Sequence, residues 1–141
     1  MQRRARTMSI DHAYTALYAT SDGETHLHPV DVQLDPTDFA PPAQPLLVGA
    51  AQPAANCLFM AFPCDWGASD LANGIWHPAP RRLFGAILRG HIVTYASDGS
   101  SVRTGIGEVL LLEDVAPAKG HITVNQSTDE PCLVHIVQLP G

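Results

Sequence analysis

His121 follows Gly120 and opens the run His-Ile-Thr-Val-Asn, whose alternation puts His121 and Thr123 on one face of a strand and Ile122 and Val124 on the other. An imidazole on an inward face can act as a ligand, or as an acid/base near neutral pH. His77 lies between Trp76 and Pro78 just before a strand-like run; in isolation it reads as a surface histidine packed against a ring. Glu113 and Asp114 are adjacent in sequence, so they cannot serve as paired carboxylates across a substrate. One is a candidate acid/base group and the other is solvated or bridged to Lys119; the competing reading is a purely structural salt bridge. Arg81 and Arg82 point to opposite faces if this segment is a strand, and Arg81 shares parity with His77 and Leu83. An inward guanidinium would hold a carboxylate or enolate by bidentate hydrogen bonds, whereas an outward one would cap an edge strand. Phe59, Phe62, Trp66 and Trp76 are core candidates first, with Trp76 and Phe59 also candidates for contact with a substrate. His135 alternates with Leu133 and Val137 and reads as an interior or interface residue.

These residues need a scaffold, and the chain can supply one. Its 141 residues suit one domain, and with 45% apolar and 16% charged residues it can fill a core. A net charge of -6 argues against a nucleic-acid partner, which calls for a basic face. The one basic cluster, Arg3, Arg4 and Arg6, reads as a solvated end; Met8 offers an alternative start that would make residues 1–7 an upstream extension. No apolar run approaches the roughly 18 residues of a membrane span. Thr7–Tyr14 does not supply the apolar region of a secretory signal, so a cytoplasmic location is expected. Cys57, Cys64 and Cys132 form no CxxC pair; Cys57 and Cys132 are expected as buried, reduced filler and Cys64 as exposed. Signatures of nucleophile elbows, phosphate loops and dinucleotide folds are absent.

Twelve prolines and eleven glycines break the chain into short β-rich runs. Strands are expected at 30–34, 45–48, 56–62, 82–89, 91–96, 101–105, 108–112, 121–125 and 132–139, with a short turn of helix within Asp11–Tyr18. Ser97-Asp98-Gly99-Ser100 is the sharpest hairpin signal, since Asp-Gly supplies the positive φ of a tight turn. Pro41, Pro42 and Pro45 predict an extended strap over the surface.

His77 through Leu83 with Gly90, and Gly107 through Gly120-His121 to Asn125, resemble the two motifs of the cupin superfamily, and the resemblance covers residues 58–139. His77-Pro-Ala-Pro-Arg-Arg-Leu83 followed by Gly90 is similar to its first motif, G(X)5HXH(X)3–4E(X)6G. The stretch from Gly107 through Gly120-His121 to Asn125 is similar to its second, G(X)5PXG(X)2H(X)3N. Leu112-Glu113-Asp114 and Lys119-Gly120-His121 are similar to small single-domain bacterial members. The resemblance implies an all-β fold, a cupin-type double-stranded β-helix (jelly-roll) barrel over residues 30–141, preceded by a short N-terminal extension over 1–29. It places the usual three-His-one-Glu ligand set at His77, Ala79, Leu83 and His121, of which two imidazoles remain. Any further ligand would have to come from His12, His26, His28, His91, His135, Glu113 or Asp114. The second motif is longer by three residues, and Glu113–Lys119 is expected as a loop at the barrel mouth.

The implied function is a small cupin enzyme acting on a small organic acid or carbonyl compound, by isomerase, cyclase, decarboxylase or lyase chemistry. His77, His121, Glu113 and Asp114 would be catalytic, with Arg81, Trp76 and Phe59 binding the substrate. The cofactor is none, or a weakly held divalent metal (Fe, Mn, Ni or Zn) on His77 and His121. A metal-dependent cupin dioxygenase and a non-catalytic small-molecule-binding module are the alternatives. A homodimer is expected, with neither nucleic acid nor membrane as partner.

Overall fold

Alternating apolar residues between turn-forming glycines and prolines produce strands almost throughout. The computed structural model describes residues 6–141, so Arg3 and Arg4 of the basic cluster lie outside the described residues. The elements in order are β1 (Met8–Ala19), β2 (Thr25–Thr37), β3 (Leu46–Val48), β4 (Asn56–Phe62), α1 (Ala68–Asn73), β5 (Leu83–Arg89), β6 (His91–Ala96), β7 (Ser101–Gly105), β8 (Val109–Leu112), β9 (His121–Val124) and β10 (Cys132–Gln138). Strand makes up 52% of the described residues and helix 4%, which fixes the class as all-β. Seven strands form one sheet in the order β3-β2-β1-β8-β5-β10-β4, and three form a second in the order β7-β6-β9.

Strands β4, β6 and β7 have the bounds that alternation predicts. Asp11–Tyr18, expected as a turn of helix, is instead part of β1. A bulge interrupts the β1–β2 register between Ile10 and Tyr14, and His12 takes a left-handed φ of 49° there. The bulge breaks the two-residue period that would have marked a strand. β1 and the first residues of β2 join the larger sheet, β1 pairing in parallel with β8.

Alternation sends Leu83 and Ile87 of β5 and Val134 and Ile136 of β10 toward the second sheet, where they pack with Ile92 and Cys132. Phe84, Leu111 and Val137 have the opposite parity, and they form a second cluster with Ala16 and Leu139 on the other face. β4 is an edge strand, and this overturns the expected burial of Cys57. Cys57 is exposed, Cys64 half-buried and Cys132 fully buried. Burial pushes the Cys132 thiol up to about 11. In a thiol-reagent titration at neutral pH, Cys57 is therefore expected to react promptly and Cys132 only on unfolding. Equal rates for the two would contradict this packing.

The tip of the β1–β2 hairpin meets the β6–β7 turn. Ser100 donates to Asp98 Oδ1 from both its hydroxyl (2.5 Å) and its backbone N–H (2.8 Å), and these bonds, with His26 beside them, hold Asp98 below the ordinary carboxylate range. The Thr20 hydroxyl lowers Asp22 in the same way, and Lys119 followed by Ser97 lowers Glu24. A carboxylate lowered by folding adds stability that is in place above its unfolded value, near 4, and is lost as pH falls through the folded value. The thermal midpoint is expected to drop as pH falls below about 4, and Asp98→Asn to make that drop shallower. An acid limb unaltered in Asp98→Asn would contradict the assignment. Lys119, raised by Glu24, has the opposite sign: its stabilisation is lost only as pH rises through the folded value.

Candidate functional site

Between the two sheets lies a cavity of about 250 Å³. Leu58, Met60 and Phe62 of β4 wall one side, and Leu83, Gly85 and Ile87 of β5 another. Trp66 reaches it from the loop after β4, where its ring stands edge-on to Phe62 at 5.0 Å. Besides the Trp66 indole, the polar side chains on the wall are His77, His121, Thr123 and Gln138; no Lys, Arg, Asp or Glu lines it among the described residues.

Backbone pairing brings the two histidines together. The His77 N–H donates to the His121 carbonyl (3.1 Å), and the His121 N–H donates to the His77 carbonyl (2.9 Å). Their ring centroids are 4.7 Å apart with the planes inclined at 59°. Two residues on, the Ala79 N–H donates to the Asp114 carbonyl (3.2 Å), tying the segment before β5 to the loop after β8. Gly120 makes the approach possible. Its φ is 94°, and a Cβ there would overlap the His77 carbonyl carbon and oxygen.

His121 Nδ1 lies 2.6 Å from Asp114 Oδ2, with side-chain exposures of 4% and 0%. An ionised carboxylate can only accept, so in the neutral ring this contact selects the tautomer with the proton on Nδ1 and the lone pair on Nε2. Asp114 Oδ1 is buried without a hydrogen-bond partner. Glu113 turns the other way and receives the Arg82 fork, from Nε at 3.1 Å and Nη2 at 2.9 Å. Adjacent residues on an extended backbone face opposite sides, which separates the two carboxylates.

The remaining candidates lie elsewhere. Arg81 is not on the cavity wall; its Nη1 is 3.3 Å from the Asn56 amide oxygen when that amide donates to the Ala55 carbonyl. Phe59 is 69% exposed and packs on His135 at 5.0 Å, on the face of β4 opposite Leu58 and Met60. Trp76 is 40% exposed beside a surface hollow shared with Ser97 and Lys119. Lys119 does not bridge to Glu113 or Asp114 but pairs with Glu24 at 2.7 Å.

Sequence reasoning assigned no role to three residues that shape the site. Gln138 ends β10 and is the one polar side chain that the larger sheet contributes to the wall. Thr25 holds the peptide before His121, as developed below. Asn125, fully buried, donates through Nδ2 to the Phe62, Pro63 and Glu130 carbonyls (2.9–3.3 Å) and accepts from the Ser127 N–H (3.0 Å). It pins the loop that carries Trp66. Asn125→Ala would strand those groups and is expected to cost about 1–3 kcal/mol in urea unfolding; a cost under ~0.5 kcal/mol would contradict the role.

A divalent metal ordinarily takes three or more protein ligands. Among the described residues no group of three His, Cys, Asp or Glu side chains is gathered to hold one. Two imidazoles alone fall short of that number.

The described residues thus form an all-β, two-sheet protein with a buried His121–Asp114 pair beside an apolar cavity. The chain matches no known family model, and no curated protein matches it significantly. Among the described residues no helix is long and apolar enough to cross a membrane.

Proposed function

We propose that this chain is a cupin-type jelly-roll whose His121–Asp114 pair, with His77, catalyses proton transfer on a small carbonyl or enol compound. The observation that carries this reading is the 2.6 Å contact between two almost fully buried side chains at the wall of an apolar cavity. The cupin assignment draws support from the antiparallel pairing of β5 with β8 and β10 in one sheet and of β6 with β7 and β9 in the other, from His121-x3-Asn125 on and just after β9, and from the cavity between two sheets.

In this reaction the lone pair on His121 Nε2 takes a proton from the carbon next to the carbonyl. Electrons move from the C–H bond into the enolate, and the ring becomes cationic. Asp114 stabilises that charge and holds the ring in place, the part a buried carboxylate plays beside a catalytic histidine. His77, whose ring lies beside that of His121, donates a ring N–H to the enolate oxygen. Return of the proton at a different atom completes an isomerisation with no oxidant or reductant. Because no Arg or Lys among the described residues lines the cavity, the walls favour a neutral carbonyl or enol over an organic acid.

The test is exchange of α-hydrogens for deuterium in D2O, followed by NMR on small ketones and keto acids, with binding read at Trp66 and Thr123. Wild-type protein is expected to accelerate exchange of a bound neutral ketone, and His121→Ala to abolish it. Compounds that bind the cavity without any gain in exchange over His121→Ala would overturn catalysis and leave a ligand-binding module.

A further inference from the structure

Thr25 is the first residue of β2, completely buried, and 95 positions in sequence from the residue it holds. Its hydroxyl donates to the Gly120 carbonyl at 2.8 Å. That carbonyl belongs to the peptide joining Gly120 to His121, so its direction sets where the His121 side chain starts. The same hydroxyl oxygen accepts from the Ser97 N–H at 2.7 Å, and the Thr25 N–H donates to Ser97 Oγ at 2.8 Å. The Thr25 and Ser97 hydroxyl oxygens are themselves 3.1 Å apart, within hydrogen-bond reach of each other. Glu24 binds Lys119 at 2.7 Å, and the Lys119 N–H donates to the Gly23 carbonyl at 2.9 Å. The hydrogen bonds thus close a ring from the loop before His121, through the hairpin tip, and back to Gly120. Networks of this kind hold geometry more firmly than their separate bonds.

We propose that Thr25 is a positioning residue for the candidate site, holding the Gly120–His121 peptide so that the imidazole meets Asp114 on one side and the cavity on the other. The proposal rests on the reading of His121 as the working base. Two constraints converge on Gly120: its carbonyl is held by Thr25, and its Cα lies against the His77 carbonyl, where no side chain fits. A shift of this one peptide would move both histidines together. A group displaced by an ångström in an active site can lose about a hundredfold in rate.

The test reads the His121 ring without needing the natural ligand. In full-length protein labelled with 15N-histidine, the wild type is expected to show one ring with protonated Nδ1, unprotonated Nε2 and slow exchange of the Nδ1 proton. The signal is assigned by its loss in His121→Ala. Folded Thr25→Val is expected to lose that exchange protection by about tenfold or more, the scale of one hydrogen bond, and to show both tautomers. Thr25→Ser, which restores the hydroxyl, is expected to recover the wild-type pattern. A purely structural role would lower the melting temperature of Thr25→Val and leave the ring signals alone, and that result overturns the proposal. If Thr25→Val does not fold, Ser97→Ala carries the same readout, and an unchanged ring there overturns it equally. A ring that ignores Asp114→Asn would instead overturn the His121–Asp114 reading. One that answers to Asp114→Asn but not to Thr25→Val would defeat the Thr25 role alone.

Discussion

Gly120→Ala is expected to destabilise the protein by about 2–5 kcal/mol, combining a left-handed conformation forced on a residue with Cβ and an overlap that nothing flexible can relieve. The neighbour is the His77 backbone carbonyl, which accepts from the His121 N–H while the His77 N–H donates to the His121 carbonyl, so it cannot move aside as a side chain would. Relaxation must separate the two histidine-bearing segments, and loss of ligand binding in the cavity is expected to accompany loss of stability. Urea unfolding measures the first effect, and the His77 and His121 ring signals report the second. A variant within ~0.5 kcal/mol of wild type, with both rings unshifted, would show that the segments do not touch as described.

Asp114→Ala is expected to have the second large effect. It removes the acceptor for a buried N–H and opens a void beside His121, for a combined cost of about 2–4 kcal/mol. The milder Asp114→Asn keeps the shape but no longer dictates which ring nitrogen carries the proton. Under the proposed chemistry it is expected to cut the exchange rate by about 10³–10⁴ with little change in ligand affinity, as loss of a tautomer-fixing carboxylate does beside a catalytic histidine. The pairing is checked by a cycle of Asp114→Ala, His121→Ala and the double variant. A coupling of about 1 kcal/mol or more is expected for two buried groups in direct contact. Additive effects, or an Asp114→Asn variant with the full rate, would mean that the carboxylate is an incidental neighbour.

How far these roles could be read beforehand varied from residue to residue. The alternation in His121-Ile-Thr-Val placed His121 and Thr123 together on an inner face, and both line the cavity. The same alternation separated Glu113 from Asp114 in principle, but gave no means of telling which would meet a histidine and which would meet Arg82. For Arg81 and Arg82, parity favoured Arg81 as the inward residue; neither lines the cavity, because the segment before β5 is held by isolated bridges rather than by regular pairing. In β1 the bulge at His12 concealed a strand, and on β4 the edge position exposed an apolar face that composition alone would bury.

The all-β class, the positions of most strands and the Asp98-Gly99 hairpin were determined by the sequence by itself. Each depends on pleat period and turn conformation, which are properties of residues next to one another in the chain. Tertiary structure alone decided that Lys119 would pair with Glu24 and Thr25 with Gly120, each across 95 positions. It likewise decided that Asp114, and not its neighbour, would hold His121. Those partners are set by strand order and sheet packing, which bring distant segments together only once the hydrophobic face of each strand has found the other sheet.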